Sequence, residues 1–549
     1  MRANLPALLF VIPFLTAVSM PFVGLFRRNW CAPFALVALS AMSLASLAAV
    51  KQTLALGPIR YPLSGWLPPL GVEWRLDGFS GLAVVLISFV ALVAVAYAGP
   101  GVRATLTAKV AHFYTLVLLL ISALTGMVMA ADLFNLFVFL EVAALTGYAL
   151  VAVAGGRAML SAFRYLILGT IGASFYLLGV GYLYAATGTL NMADLAERIA
   201  PLAASKAVLT GIVFIMIGLG VKMALVPLHG CLPDAYAHAP DFISPLLAAL
   251  MTKAALVAAA RIIFWVLGAD LLLRQFPLLV YLGWIGAIAT LVGAFLALSE
   301  QNLKRMFAYA GLSHVGLIVV GISLGNHAGL AGGIFYLVID AIMQLGLFFT
   351  AGVIIHQHGI HEVPELVRVG RRIPLTLATL IVTALSMVGI PPTGGFFGKW
   401  FLVLAALEAG NYLAVGVIML GTLLTLAAFV RLFEKMLLEE HEPGVTVREA
   451  PGPMRFGLGV VIAAIMLLGL FSDPVMALIG QIALPPGLAP LRPRLRDWSS
   501  SSPCCPSPPP SPAAIARPSP PSRWPSCSRL PPAFRSRSTG RSGWISTPF

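Results

Sequence analysis

Residues 133–153 read LFNLFVFLEVAALTGYALVAV, an apolar run with one carboxylate, Glu141, in its middle. A helix rises 1.5 Å per residue, so the run is about 30 Å long and matches the hydrocarbon thickness of a bilayer. Glu141 stands about nine residues in, roughly 14 Å, near mid-membrane. A charge there costs about 2.5–3.5 kcal/mol on insertion scales, so such residues mark ion pathways or proton relays by default.

The rest of the chain fits that stretch. Of 549 residues, 59% are hydrophobic and 10% charged. Soluble proteins carry about 25% charged residues, which excludes a soluble globular enzyme. Runs of about 20 apolar residues recur. Fourteen candidate spans fall near 4–25, 31–50, 77–98, 108–130, 132–154, 161–186, 207–228, 243–267, 276–298, 302–324, 329–356, 374–404, 409–433 and 454–480. The expected fold is all-α, a polytopic membrane protein of about 14 transmembrane helices. Spanning strands would be about 10 residues long and alternating, which these runs are not. Met1–Met20 resembles a signal peptide, but further spans follow at once, so it reads as the first transmembrane helix.

The net charge of +14 hides two compositions. From Leu491 to Phe549 there are nine arginines and one acid, Asp497, together with 14 of the 40 prolines. This Pro/Ser/Arg-rich tail cannot bury a core and reads as disordered. A shifted reading frame in a GC-rich gene would produce the same composition. The remainder gives no nucleic-acid signature. Basic residues favour the loops after odd-numbered spans, with Arg27, Arg28, Arg103, Lys109, Arg157, Arg164, Lys304, Arg305, Arg368, Arg371, Arg372, Arg431, Lys435 and Arg448. The even loops hold half as many: Lys51, Arg60, Arg75, Arg198, Lys206, Arg261 and Arg274. The positive-inside rule places odd loops in the cytoplasm and both termini outside.

Four ions define the candidate site. Lys222 joins Glu141, five residues before Pro227, which removes a helix hydrogen bond. Lys253 lies about ten residues into its span. Lys399 follows a second break at Pro391 and Pro392. Irregular backbone at membrane depth survives only inside protein or beside water. Matching breaks in two halves point to a transport site and inverted repeats. Lysine, unlike arginine, can release its proton when desolvated. His229 and His314 suit proton shuttling, with His229 on the Lys222 face if that helix continues. Asp340 is a further carboxylate within a span, while Asp132 lies near a span end. His356, His358 and His361 read as a solvated cluster at a helix exit. No catalytic, cofactor-binding or metal set is expected: His229, Asp234 and His238 fit no standard metal spacing, phosphate loops and dinucleotide fingerprints are lacking, and Cys31, Cys231, Cys504, Cys505 and Cys527 form no cluster. Redox chemistry would belong to partner proteins.

The stretches 134–141 (FNLFVFLE), 222–229 (KMALVPLH), 232–240 (LPDAYAHAP) and 389–399 (GIPPTGGFFGK) resemble the antiporter-like membrane subunits. These include proton-pumping subunits of respiratory complex I, large subunits of Mrp-type cation/proton antiporters, and hydrogenase counterparts. The likeness covers about 4–480 and is greatest for the D-type large component of Mrp antiporters; Lys399 argues against the complex I subunit with glutamate there. It implies two inverted five-helix repeats, at 108–267 and 276–433, between N-terminal helices in 1–107 and a C-terminal helix at 454–480. It also implies a Glu141–Lys222 pair, a bridging Lys253, an axial His314 and a terminal Lys399. Two departures stand out: Asp340 and Gln344 replace the His and Lys often found in the eleventh helix, and His238 replaces an acid. The expected function is proton translocation in a multi-subunit cation/proton antiporter in a bacterial or archaeal membrane, with sodium as another candidate ion. The alternatives are the same module on a NADH:quinone oxidoreductase or hydrogenase, or a stand-alone transporter or scaffold.

Overall fold

A computed structural model describes residues 4–106, 109–202, 204–268, 276–438 and 448–482. The 491–549 tail, its cysteines and its shifted-frame reading lie outside the described residues, as does Arg274. Helices α1 (Leu5–Phe26) and α2 (Cys31–Leu56) precede a small antiparallel hairpin, β1 (Ile59–Pro62) and β2 (Glu73–Leu76), with Ile59 opposite Leu76. Then come α3 (Gly78–Thr105), α4 (Val110–Met129), α5 (Leu133–Ala152), α6 (Arg157–Thr187) and the short α7 (Met192–Ile199). Next are α8 (Lys206–Lys222), α9 (Leu232–His238) and α10 (Ser244–Arg261), which runs on as a π turn over Ile262–Leu267. The second half holds α11 (Leu278–Ser299), α12 (Leu303–Ser323), α13 (His327–His358), α14 (Pro374–Val388), α15 (Gly394–Glu408), α16 (Tyr412–Phe433), α17 (Gly452–Leu470) and α18 (Ser472–Gln481).

Among the described residues, twelve helices are long and apolar enough to cross a bilayer. The two other expected spans, 207–228 and 374–404, are the interrupted ones. The first ends as α8 at Lys222, and the second divides into α14 and α15 of 15 residues each.

All-round apolarity sorts the helices by depth. Every residue of α10 is buried, and α12 and α13 are buried along nearly their whole length. These three form the centre, as helices without a polar face should. Outer helices such as α1, α2 and α6 keep large apolar side chains exposed. Small residues allow close helix contact: a Cβ on Gly218 of α8 would meet the Gly172 carbonyl of α6.

The loops sort into two ends. Asp132 before α5 pairs with Asn191 after α6, and Trp74 pairs with Ala130 beside them. Asn302 before α12 pairs with Glu362 after α13 at the arginine-rich end, where His358 Nε2 also meets the Arg448 carbonyl. Each pairing begins at a residue whose side chain caps the next helix. Asp132 accepts from the Phe134 and Asn135 N–H groups, and Asn302 from that of Arg305. Burial raises the Asp132 pKa, against the pull of those two backbone donors. Thus the same device recurs in both halves, at opposite ends of the helices.

Candidate functional site

The first break follows from local chemistry. At the end of α8, the Met223 N–H returns to the Leu219 carbonyl, and Ala224 turns left-handed at φ 56°. Pro227 has no N–H to continue a helix, and regular structure resumes only at Leu232. Lys222, the last residue of α8, sends its Nζ to within 3.1 Å of Glu141 Oε1 on α5, and the Tyr148 hydroxyl lies 3.5 Å away. The lysine side chain is 9% exposed and the glutamate 23%, so the pair lies nearer the surface of the chain than the central group does.

The second break is capped by Gly389 at φ 87°, whose N–H bonds the Leu385 carbonyl. Gly395 lies so close to the Ser386 carbonyl that a Cβ would collide with it. Lys399 rises from α15 and turns back. Its Nζ donates to the carbonyls of Met387 at 2.8 Å and Val388 at 3.2 Å, and to Thr422 Oγ1 of α16 at 3.0 Å. Among the described residues, no carboxylate pairs with it.

Between the breaks lies a fully buried group. Lys253 Nζ of α10 is 2.7 Å from Asp340 Oδ2 of α13 and 3.2 Å from the Ala248 carbonyl. The other oxygen, Asp340 Oδ1, is 3.0 Å from His314 Nδ1 of α12, and the Tyr336 hydroxyl lies 3.1 Å from the same nitrogen. An ionised carboxylate only accepts, so Nδ1–H donates to Asp340. The group is electrically neutral with a neutral imidazole, which suits burial of 0–3% exposure. Two polar atoms stay unpartnered, His314 Nε2 and Gln344 Nε2. Gln344 packs on Gly311 and lines, with Lys253 and Tyr236, a cavity of about 10 Å³.

The sequence picked out Asp340 but not its pairing with Lys253, because helix-to-helix register is invisible in one chain. It also missed Tyr336, Tyr148 and Thr422, hydroxyls in apolar runs with no periodic signal. His229 does not share a helical face with Lys222, since α8 ends there; its ring lies edge-on to Tyr309 at 6.4 Å, and its Nδ1 has no partner. Asp234 binds Arg305 at 2.6 Å and Arg164 at 4.0 Å, while His238 Nδ1 contacts Ser161 Oγ at 3.0 Å. No three His, Cys, Asp or Glu among the described residues are placed to hold a metal.

At the opposite end from the arginine-rich loops, a separate ion pair fixes α10 to α3. Arg261 grips both oxygens of Asp77, one at 2.8 Å, and lies over the rings of Phe79 and Trp265. Burial alone raises this carboxyl's pKa, but the Arg261 guanidinium and the Ser80 N–H override it. Together with Arg75 they hold Asp77 well below the usual carboxylate range.

The comparisons agree with this architecture. A family profile described as "NADH:quinone oxidoreductase/Mrp antiporter, TM" matches residues 130–425. A protein named NADH-quinone oxidoreductase subunit N, from Desulforudis audaxviator, is 41% identical over 504 residues, covering 88% of this chain and 99% of that one. The D component of the Na(+)/H(+) antiporter of Bacillus subtilis is 28% identical over 435 residues, covering 79% and 85%. Among solved structures, a chain of an archaeal membrane-bound sulfane sulfur reductase superposes with TM-score 0.81 at 30% identity, covering 87% of this chain and 96% of that one. A chain of the Mrp complex from Dietzia shares the fold at TM-score 0.80 and 24% identity, covering 88% and 97%. The chain is a multi-pass membrane protein belonging to the NADH:quinone oxidoreductase/Mrp antiporter family.

Proposed function

We propose that this chain moves protons across a membrane as one subunit of a multi-subunit complex, along the line Glu141–Lys222, Lys253–Asp340–His314 and Lys399. The observation that carries the reading is the buried central group, where a lysine, a carboxylate and a histidine from three helices meet in the core. Insertion costs make such a group hard to account for unless ions pass it. Moving Glu141 relative to Lys222 alters that lysine's proton affinity, which supplies a switch between uptake and release. One proton against 100 mV requires about 2.3 kcal/mol, equal to about 1.7 pKa units, so a modest rearrangement suffices.

The two interrupted helices complete fourteen crossings in this reading. Two inverted repeats are supported by the Asp132–Asn191 and Asn302–Glu362 pairings at opposite ends. Arginine-rich loops face the cytoplasm and both termini face outward. His229 and Asp340 belong to the same path, His229 beside the first break and Asp340 at its centre.

The first reading is a Mrp-type cation/proton antiporter, in keeping with Lys399. A second is favoured by the 41% identity to a protein named as a NADH-quinone oxidoreductase subunit. Purification from the native membrane separates them: iron–sulfur subunits co-purify only in the second. The test of translocation is proton flux in vesicles holding the assembled complex. Glu141→Gln or Lys222→Ala abolishes flux while assembly persists, and full flux in either variant overturns the proposal.

A further inference from the structure

Helix α14 carries four hydroxyls, on Thr376, Thr379, Thr383 and Ser386, and all four residues are fully buried. Their spacing of three, four and three residues puts them on one face of the helix. Each end of this file meets a titratable group. At the arginine-rich end, Thr376 Oγ1 donates to Glu449 Oε1 at 2.6 Å, and the Leu375 N–H donates to Oε2 at 2.9 Å. At the inner end, Ser386 Oγ accepts from the Gly395 N–H at 3.1 Å, and the next two carbonyls, of Met387 and Val388, hold Lys399 Nζ. The rise from Thr376 to Ser386 is about 15 Å, roughly half the hydrocarbon thickness. Between them, Thr379 bonds back to the Leu375 carbonyl at 2.8 Å, an ordinary arrangement for a helical threonine. Thr383 does not. Its Oγ1 has no hydrogen-bond partner and lies where Gly346 of α13 leaves room for it. An unpaired buried hydroxyl is costly, and packing alone would favour valine at that position.

We propose that this hydroxyl file is the route by which Lys399 exchanges protons with the arginine-rich end, with Glu449 as its outer terminus. The inference rests on reading Lys399 as a proton carrier. Among the described residues no carboxylate stands beside that lysine, so its proton comes from, or goes to, a more distant group. A hydroxyl donates one hydrogen bond and accepts others. Each hydroxyl therefore passes on its own proton as it takes up the next, and one proton shifts along the file with the hydroxyls unchanged. Neighbours three or four residues apart stand about 5–6 Å apart at Cβ, a gap that one bridging water closes. Glu449 is half-buried, so it meets both solvent and Thr376. Its carboxylate takes up a proton from solvent and releases it into the file, and the neutral amine of Lys399 accepts one at the far end. A sodium ion also binds such oxygens, but a file closed by an ammonium repels it.

The experiment is proton flux in vesicles holding the assembled complex, with the melting transition of the purified complex measured alongside. Thr383→Val removes an oxygen that bonds nothing, so the complex melts at the same temperature or higher. Its flux falls about tenfold, the effect of one lost hydrogen bond on a barrier. Thr383→Ser keeps the hydroxyl and keeps the flux. Glu449→Gln still accepts the Leu375 N–H but cannot carry a proton, and it lowers flux in the same way. Thr125→Val on α4 removes a buried hydroxyl away from the file and leaves flux unchanged. Full flux in Thr383→Val and Glu449→Gln overturns the proposal, as does a Thr383→Ser flux as low as that of Thr383→Val. Uptake of radioactive sodium that falls in Thr383→Val while proton flux holds overturns the assignment to protons. Loss of flux in Lys222→Ala with full flux in Thr383→Val overturns this inference alone, whereas full flux in both overturns the translocation reading with it.

Discussion

Lys222 and Lys399 each put an ammonium at the carbonyl end of a half-helix, by different routes. Lys222 is itself the last residue of α8, while Lys399 belongs to the following half-helix and reaches back to the last carbonyls of α14. The negative pole of a helix, equivalent to about half a charge, favours a cation in both places. The first lysine also has a carboxylate at 3.1 Å, and the second has only neutral oxygens. The difference teaches that a broken helix supplies a lysine site by itself. The acid adds a part that can move, so the first site can be reset by displacing one side chain and the second cannot.

The link between the two sites is the place to break the comparison first. Asp340→Asn leaves Lys253 buried without a counter-charge, which costs about 3–5 kcal/mol. Flux is lost and the thermal transition of the purified complex falls; an unchanged transition would show that the pair does not hold the centre together. Next comes the contrast itself. Lys222→Met strands Glu141 and lowers stability by about 2 kcal/mol. Lys399→Met strands no charge, only the Met387 and Val388 carbonyls and the Thr422 hydroxyl, so it costs less, about 1 kcal/mol. Equal destabilisation in the two variants would erase the distinction.

The third test uses a pair with no part in translocation. The folded-state pKa of Asp77 is lowered, so its contribution is present above the unfolded carboxylate value of about 4 and is lost as pH falls below it. The Asp77 contribution, read as the difference between the wild type and Asp77→Asn, is therefore flat from pH 8 to 5 and declines in acid. Asp77→Asn lowers the neutral plateau by about 1.5–2 kcal/mol, flattens the acid decline and leaves flux intact. The smallest effects come from single hydroxyls: Thr422→Val removes one of three bonds to Lys399, about 1 kcal/mol. Tyr148→Phe removes a 3.5 Å contact and changes little, as comparative flux and melting measurements would show.

What the sequence reveals follows from these physics. Spans are legible because a helix surrounded by lipid or protein must be apolar on all sides. Breaks are legible because Pro227, Pro391 and Pro392 cannot donate. Glu141 and Lys222 are conspicuous because each is alone in an apolar run. The partners of Lys253 and Lys399 are not legible. Asp340 lies 87 positions from Lys253, and only the packing of α10 against α13 brings them to 2.7 Å. Read along the chain, Asp340 and Gln344 are departures from a family pattern. Folded, Asp340 holds two basic groups at once, and Gln344 fills the space that Gly311 leaves.

The cavities beside Lys253 are about 10 Å³ each. That is about the room a single water occupies, and too little for a chain of them. In this arrangement the core is an electrical insulator with charges set into it, and a membrane containing it keeps its voltage. On the proposed path, a hydrated gap opens and closes between Lys253 and its neighbours in each cycle. Whatever drives that opening governs leak as well as transport.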